Sequence, residues 1–227
     1  MYLKNTIFIL LVLIFCAAVL SVFIPNVVVT SKNNFDVIID AGHGLPDGGA
    51  VASDGTLESE LNLQIADQLF DVLSKSGLKC KMIRNDQHSI YTQGETIHAK
   101  KVSDIKNRVD IAKKNSSALV ISIHMNTYPS SNVSGAQVFY STKKSETSEM
   151  ASEIQNVLNN NFNTNKKTSR PISSNIYLFN NIPNDSLLIE CGFLTNQDDL
   201  SKLKDNNYQK EFANAIAEVI TYKLIGG

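Results

Sequence analysis

Short apolar runs alternating with amphipathic segments across residues 36–224 predict an α/β fold: a central, twisted, mostly parallel sheet with helices on both faces. Two patterns carry this expectation. DVIID (36–40), ALVISI (118–123) and SLLI (186–189) have strand length and near-continuous apolar character, as a sheet covered on both sides requires. Between them, apolar residues recur at intervals of three and four, the spacing of one helical face.

In chain order, the strand at 36–40 runs into the loop AGHGLPDGGA. Residues 61–75 form a helix with Leu61, Ile65, Leu69, Val72 and Leu73 on one face and Gly77 as its stop. Asp54, Gly55 and Thr56 offer a turn and cap ahead of it. A strand over 78–84 turns Leu78, Cys80 and Met82 inward. Residues 85–101 are polar and carry no strong pattern. A helix at 103–114 presents Ile105, Val109 and Ala112, and strands follow at 118–123 and 136–140. Residues 145–158 are helical with Met150, Ile154, Val157 and Leu158 inward, and the Asn-rich stretch 159–165 is a loop. A short core strand at 186–189 and an amphipathic helix at 212–224 end the series.

A length of 227 residues suits one domain, and 21 Lys+Arg against 22 Asp+Glu give a net charge of −1. Without a basic excess, a nucleic-acid partner is not expected. The 43% apolar content is unevenly spread: residues 1–30 hold 23 apolar side chains and one charge, Lys4. Ile7 to Ile24 is apolar except for Ser21, and eighteen residues at ~1.5 Å each approach the thickness of a bilayer core. This segment is either a cleaved signal peptide or an uncleaved signal anchor. The long apolar run and the Pro25-Asn26 exit favour the anchor. Either way the body, residues 31–227, is exported, and the membrane is a partner through the N-terminal segment. That body remains about 38% apolar, enough for one sizeable core. Cys80 and Cys191 read as small buried thiols, since no CxxC spacing occurs.

Three polar residues stand where apolar strands end: His43 after DVIIDAG, His124 after ALVISI, and Glu190 after SLLI. Open α/β sheets place their sites outside the carboxyl ends of strands, so parallel neighbours bring all three to one crevice. A carboxylate ending a buried strand needs a cation, a donor network or a raised pKa. Two histidines and one carboxylate are an established zinc ligand set. Glu58 and Glu60, at the start of the 61–75 helix, both supply that carboxylate with a favourable helix dipole, and spacing does not choose between them. Glycines 42, 44, 48 and 49 around His43 lack a phosphate-loop pattern and suit a sharp turn and close approach.

These residues resemble a family. IIDAGHGLPDGGA, TLESELNL, SIHMNT and LLIECGFLTN, in that order over about residues 36–222, are similar to the zinc-dependent N-acetylmuramoyl-L-alanine amidases of the amidase_3 type. The resemblance implies Zn²⁺ held by His43, Glu58 and His124, with Glu190 as the catalytic acid/base and Glu60 left facing outward. It implies a structural role for Arg108. Asp40 and Asn126 are candidates to orient a ligand or meet the substrate, since ligating imidazoles usually need a partner. The implied substrate is peptidoglycan, cut between N-acetylmuramic acid and L-alanine.

An N-terminal anchor with a bare catalytic domain and IECGFL in the last motif is most similar to the CwlD-type sporulation amidases. Removal of the peptide there prepares muramic-δ-lactam in spore cortex. The implied location is the extracytoplasmic face of a bacterial membrane, and in sporulation the forespore intermembrane space. Two rivals stay open at this point: a zinc carboxypeptidase-like peptidase acting on wall peptides, and a non-catalytic wall-binding relative. A requirement for a regulatory protein partner in metal binding also stays open.

Overall fold

The computed structural model describes residues 34–226. Among them, six strands run β1 (Val37–Ala41), β2 (Cys80–Met82), β3 (Leu119–Asn126), β4 (Gln137–Tyr140), β5 (Arg170–Pro171) and β6 (Ser186–Phe193). Six helices run α1 (Glu58–Lys75), α2 (Ile97–Lys114), α3 (Ser145–Asn161), α4 (Tyr177–Asn180), α5 (Gln197–Leu203) and α6 (Asn206–Ile225). The expected N-terminal signal segment, 1–30, lies outside the described residues. Among those described, no helix is long and apolar enough to cross a membrane.

The strands pair in the order β2-β1-β3-β6-β4-β5. Neighbours are parallel except β4 against β6, so the sheet is mixed. The reason is the connection after β3. Only a helix-free loop over 127–136 joins β3 to β4, and a parallel return needs a crossover of a dozen or more residues. β4 therefore runs back, and β6 later fills the place between the two.

Side chains alternate across the sheet. Val37, Ile39, Ile121, Ile123, Leu187 and Ile189 pack on one face against Leu61 and Leu69 of α1, Ile154 and Leu158 of α3, and Phe212 and Ile216 of α6. Ile38, Val120 and Leu188 pack on the other against Val109 and Ala112 of α2 and Leu178 and Phe179 of α4. Helices thus cover both faces, and each such buried aliphatic contributes about 1.5–3 kcal/mol. Toward the carboxyl ends of the strands, the second face turns polar. Asp40 pairs with Ser122, and His124 with Glu190, in adjacent parallel strands.

Several boundaries differ from the sequence expectation. β3 and β6 continue to Asn126 and Phe193, so His124 and Glu190 sit within strands rather than after them. Their partners in alternation, Met125 and Cys191, stay buried, which keeps the strand going past a polar residue. α2 begins at Ile97 because the Thr96 hydroxyl accepts from the Ala99 amide at 3.1 Å. α6 begins at Asn206, capped by the Asp205 carboxylate.

Candidate active site

The loop between β1 and α1 carries the first histidine. His43 takes a left-handed backbone, φ 59°, outside the region most side chains prefer. Its Nδ1 donates to the Asp47 carboxylate at 2.9 Å, which leaves Nε2 facing Glu58 Oε2 at 3.3 Å. Asp47 is in turn paired with Lys101 on α2 at 3.0 Å.

Glu58 opens α1 and is 4% exposed. The expected Asp54–Thr56 cap does not form. Leu57 holds the cap position without a side-chain bond, and the orphan amides of Glu58 and Ser59 donate instead to the carbonyls of Ala50 and Gly48. The histidine loop itself therefore caps the helix, and the first turn is tied to it. Ala50 N–H donates to Glu58 Oε2 at 2.8 Å, while His124 Nδ1 donates to Glu58 Oε1 at 2.9 Å. Glu60 points outward and is exposed.

Donor atoms of His43, Glu58 and His124 all lie within 4.8 Å of one another. Zinc–nitrogen and zinc–oxygen bonds of about 2.0–2.1 Å at tetrahedral angles separate ligand atoms by roughly 3.3 Å. His124 Nδ1 lies 2.9 Å from Glu58 Oε1 and His43 Nε2 lies 3.3 Å from Glu58 Oε2, both near that spacing. Two glycines permit the approach. A Cβ on Gly42 would sit 2.2 Å from the His124 ring, and one on Gly49 would sit 2.6 Å from Glu58 Oε2. The residues present fit a zinc ion.

Electrostatics agree with a cation site. Burial opposes a charged His43, but hydrogen bonds to Asp47 and Glu58 outweigh it and raise its pKa to about 9. Burial likewise opposes an ionised Glu58, yet bonds from His124 and His43 hold it well below the usual carboxylate range. In the absence of a metal, a proton on His43 balances the carboxylates.

Glu190 lies across the β3–β6 ladder from His124. Its Oε2 is buried with no hydrogen-bond partner, and burial raises its pKa against the opposing pull of His124. A cavity of about 530 Å³ opens beside His43 and His124, lined by Val102, Ile105, Ile176 and Tyr177 among others. His43, Glu58, His124 and Glu190 therefore come together.

Asp40 and Asn126 fare differently. Asp40 is 2% exposed, accepts from Ser122 Oγ at 2.6 Å, and pairs with Arg108 Nη1. Arg108 also bonds Asp104 at 2.8 Å and donates to the carbonyls of Ala41 and His43, so Asp40 reaches the histidine loop only through it. The Asn126 side chain accepts from the Thr127 amide at 2.8 Å. The carboxylate that orients a histidine is Asp47, which sequence reasoning passed over. Its signal was present: an acidic residue four positions after His43 in one loop.

The family model described as Amidase_3, N-acetylmuramoyl-L-alanine amidase, matches residues 37–222. The germination-specific N-acetylmuramoyl-L-alanine amidase of Bacillus subtilis is 36% identical over 182 residues, 79% of this chain and 76% of that protein. The CwlD amidase of Clostridioides difficile, solved in complex with the GerS lipoprotein, superposes with a TM-score of 0.79 at 34% identity, over 86% of this chain and 100% of that one. The catalytic domain of CwlV from Bacillus (Paenibacillus) polymyxa superposes with a TM-score of 0.64 at 28% identity, over 82% and 95%. With a His/Glu/His cluster at the strand ends of a matching fold, the chain belongs to the Amidase_3 family of zinc-dependent N-acetylmuramoyl-L-alanine amidases, peptidoglycan hydrolases that cut between N-acetylmuramic acid and L-alanine.

Proposed function

We propose that His43 Nε2, the Glu58 carboxylate and His124 Nδ1 hold the zinc ion and that Glu190 is the catalytic acid/base. The observation that carries this reading is the placement of Glu190, whose Oε2 is buried without a hydrogen-bond partner, directly across the ladder from one member of the ligand cluster. When bound, zinc supplies Lewis-acid activation of water and of the amide carbonyl. The Glu190 carboxylate takes the proton of the attacking water. As the carbonyl carbon gains oxygen and loses nitrogen, the same carboxyl returns a proton to the departing amine. The products are the free lactyl acid on the glycan and the intact stem peptide. A carboxyl raised by burial suits a group that alternates between base and acid. Asp47 holds His43 in the tautomer that presents Nε2. The cavity beside the histidines receives the substrate.

The biological setting we infer is spore cortex maturation, supported by the germination-specific and CwlD relatives. Export through the 1–30 segment as a signal anchor or signal peptide, ahead of a catalytic domain over 31–227, fits an extracytoplasmic substrate. A lipoprotein partner is supported by the complex formed by the CwlD relative.

The test is Glu190→Gln. It keeps zinc at one ion per chain while turnover falls by at least about 10²-fold. Turnover near that of the unaltered chain removes Glu190 from the mechanism. Muropeptide mass spectrometry separates the chemistries: an amidase yields peptide-free glycan and whole stem peptides, a carboxypeptidase only shortened peptides.

A further inference from the structure

Arg84, just past the end of β2, is 3% exposed. A buried guanidinium is costly to desolvate and is ordinarily met by a carboxylate. Of the nearby acids, Asp40 and Asp104 bond to Arg108 instead, and Asp67 attracts Arg84 only at a distance, without a hydrogen bond. The four hydrogen bonds of Arg84 all end on backbone carbonyls. Nε donates to Ala41 O at 2.8 Å, Nη1 to Asp86 O at 2.8 Å, and Nη2 to both Gly42 O at 3.0 Å and Ser59 O at 2.7 Å. Burial and the like charge of Arg108 lower its pKa only to about 10, so it stays charged at neutral pH.

The carbonyls it selects are informative. Ala41 and Gly42 immediately precede His43, and Ser59 immediately follows Glu58. One planar group thus ties the backbone leading to the first histidine to the turn bearing the carboxylate. Asn62, one turn along α1, adds a bond to Gly42 O at 3.0 Å. Between these ties His43 keeps its left-handed φ, an unfavourable conformation that persists only where the surroundings over-determine it.

We propose that Arg84 is a positioning residue of the metal centre: its guanidinium locks the His43 loop to the Glu58 turn, so that the two side chains meet at their working separation before the metal arrives. This rests on the reading of His43 and Glu58 as ligands. Lysine does not replace arginine in this role, because an ammonium lacks the rigid fork that reaches carbonyls on both segments.

The experiment is a zinc competition titration against a chelator on the full chain, with Arg84→Met, Arg84→Lys and His43→Ala beside the unaltered protein. Circular dichroism checks each fold. Both Arg84 variants are expected to bind zinc about tenfold or more weakly, and the rise in Tm on adding zinc shrinks accordingly. A folded Arg84 variant with unaltered zinc affinity, even if less stable, overturns the proposal. Should Arg84→Met not fold, Arg84→Lys decides by the same criterion. Failure of both to fold assigns Arg84 to the fold alone and also overturns it. Unaltered zinc affinity in His43→Ala overturns the ligand assignment itself, a separate failure.

Discussion

Replacing Arg108 with methionine tests how the floor of the site is held. The guanidinium is 2% exposed and neutralises two acids, Asp40 at 2% and Asp104 at 6% exposure. Methionine fills similar space but leaves both carboxylates unpaired. Removing one partner of a buried ion pair costs about 3–5 kcal/mol, because the remaining charge is stranded. For a domain of this size each kcal/mol lowers Tm by about 2–4 °C, so the expected fall is about 6–20 °C.

The effect also depends on pH. Burial alone would raise the Asp40 carboxyl, but Arg108, with the Ser122 hydroxyl and His124, outweighs it and holds the group below its ordinary value. A depressed folded pKa contributes stability above the unfolded value near 3.8, and that stability is lost as pH falls through the folded value. In Arg108→Met the largest opposing interaction is lost, the Asp40 pKa rises, and acid unfolding begins at higher pH than in the unaltered chain. Urea denaturation at pH 7 and pH 5 reads both effects. The companion Arg108→Met with Asp40→Asn removes one stranded charge and recovers part of the loss. A destabilisation below about 1 kcal/mol, or no recovery in the double variant, would refute the argument.

Zinc affinity should depend on pH through His43. A proton held to about pH 9 must leave before Nε2 ligates, so the association constant rises about tenfold per pH unit from neutrality and levels off near 9. Levelling already at pH 7 contradicts the proton competition. In Asp47→Asn the break should move to lower pH, since Asp47 is the foremost group keeping that proton, while the plateau affinity falls by about 10–100-fold. An unchanged curve by chelator competition removes Asp47 from the centre. Glu58→Ala should lose zinc by elemental analysis while Glu60→Ala keeps it. Equal metal content in both removes Glu58 from the ligand set.

Much of the site was legible in the sequence because its residues interrupt apolar runs. A histidine after ALVISI or a glutamate after SLLI is conspicuous, since a buried strand otherwise excludes such groups. The same contrast misled on boundaries: polarity suggested that each strand stopped, whereas alternation lets His124 and Glu190 face the cleft while Met125 and Cys191 stay in the core. Short elements such as α4 and α5 were not legible, because four and seven residues are too few to establish a period. Asp47 escaped because its only signal, an acid four positions after His43, acquires meaning once the loop folds back on itself.

Local sequence by itself determined the α/β alternation, the four motifs and the identity of the chemical groups, because strand burial and helical amphipathicity are written in short-range periodicity. The mixed direction of the sheet was decided only by tertiary structure, through a loop too short for a parallel return. Spacing left Glu58 and Glu60 open and the resemblance pointed to Glu58; in the fold Glu58 faces the histidines and Glu60 faces solvent. Tertiary structure also decided the setting of the two buried arginines, whose partners lie 25 to 68 positions away apart from the local contacts of Arg84 to Asp86 and Arg108 to Asp104. Hydrogen bonds over such separations form only once the sheet has brought the segments together, and they tie the His43 loop to β1, α1 and α2.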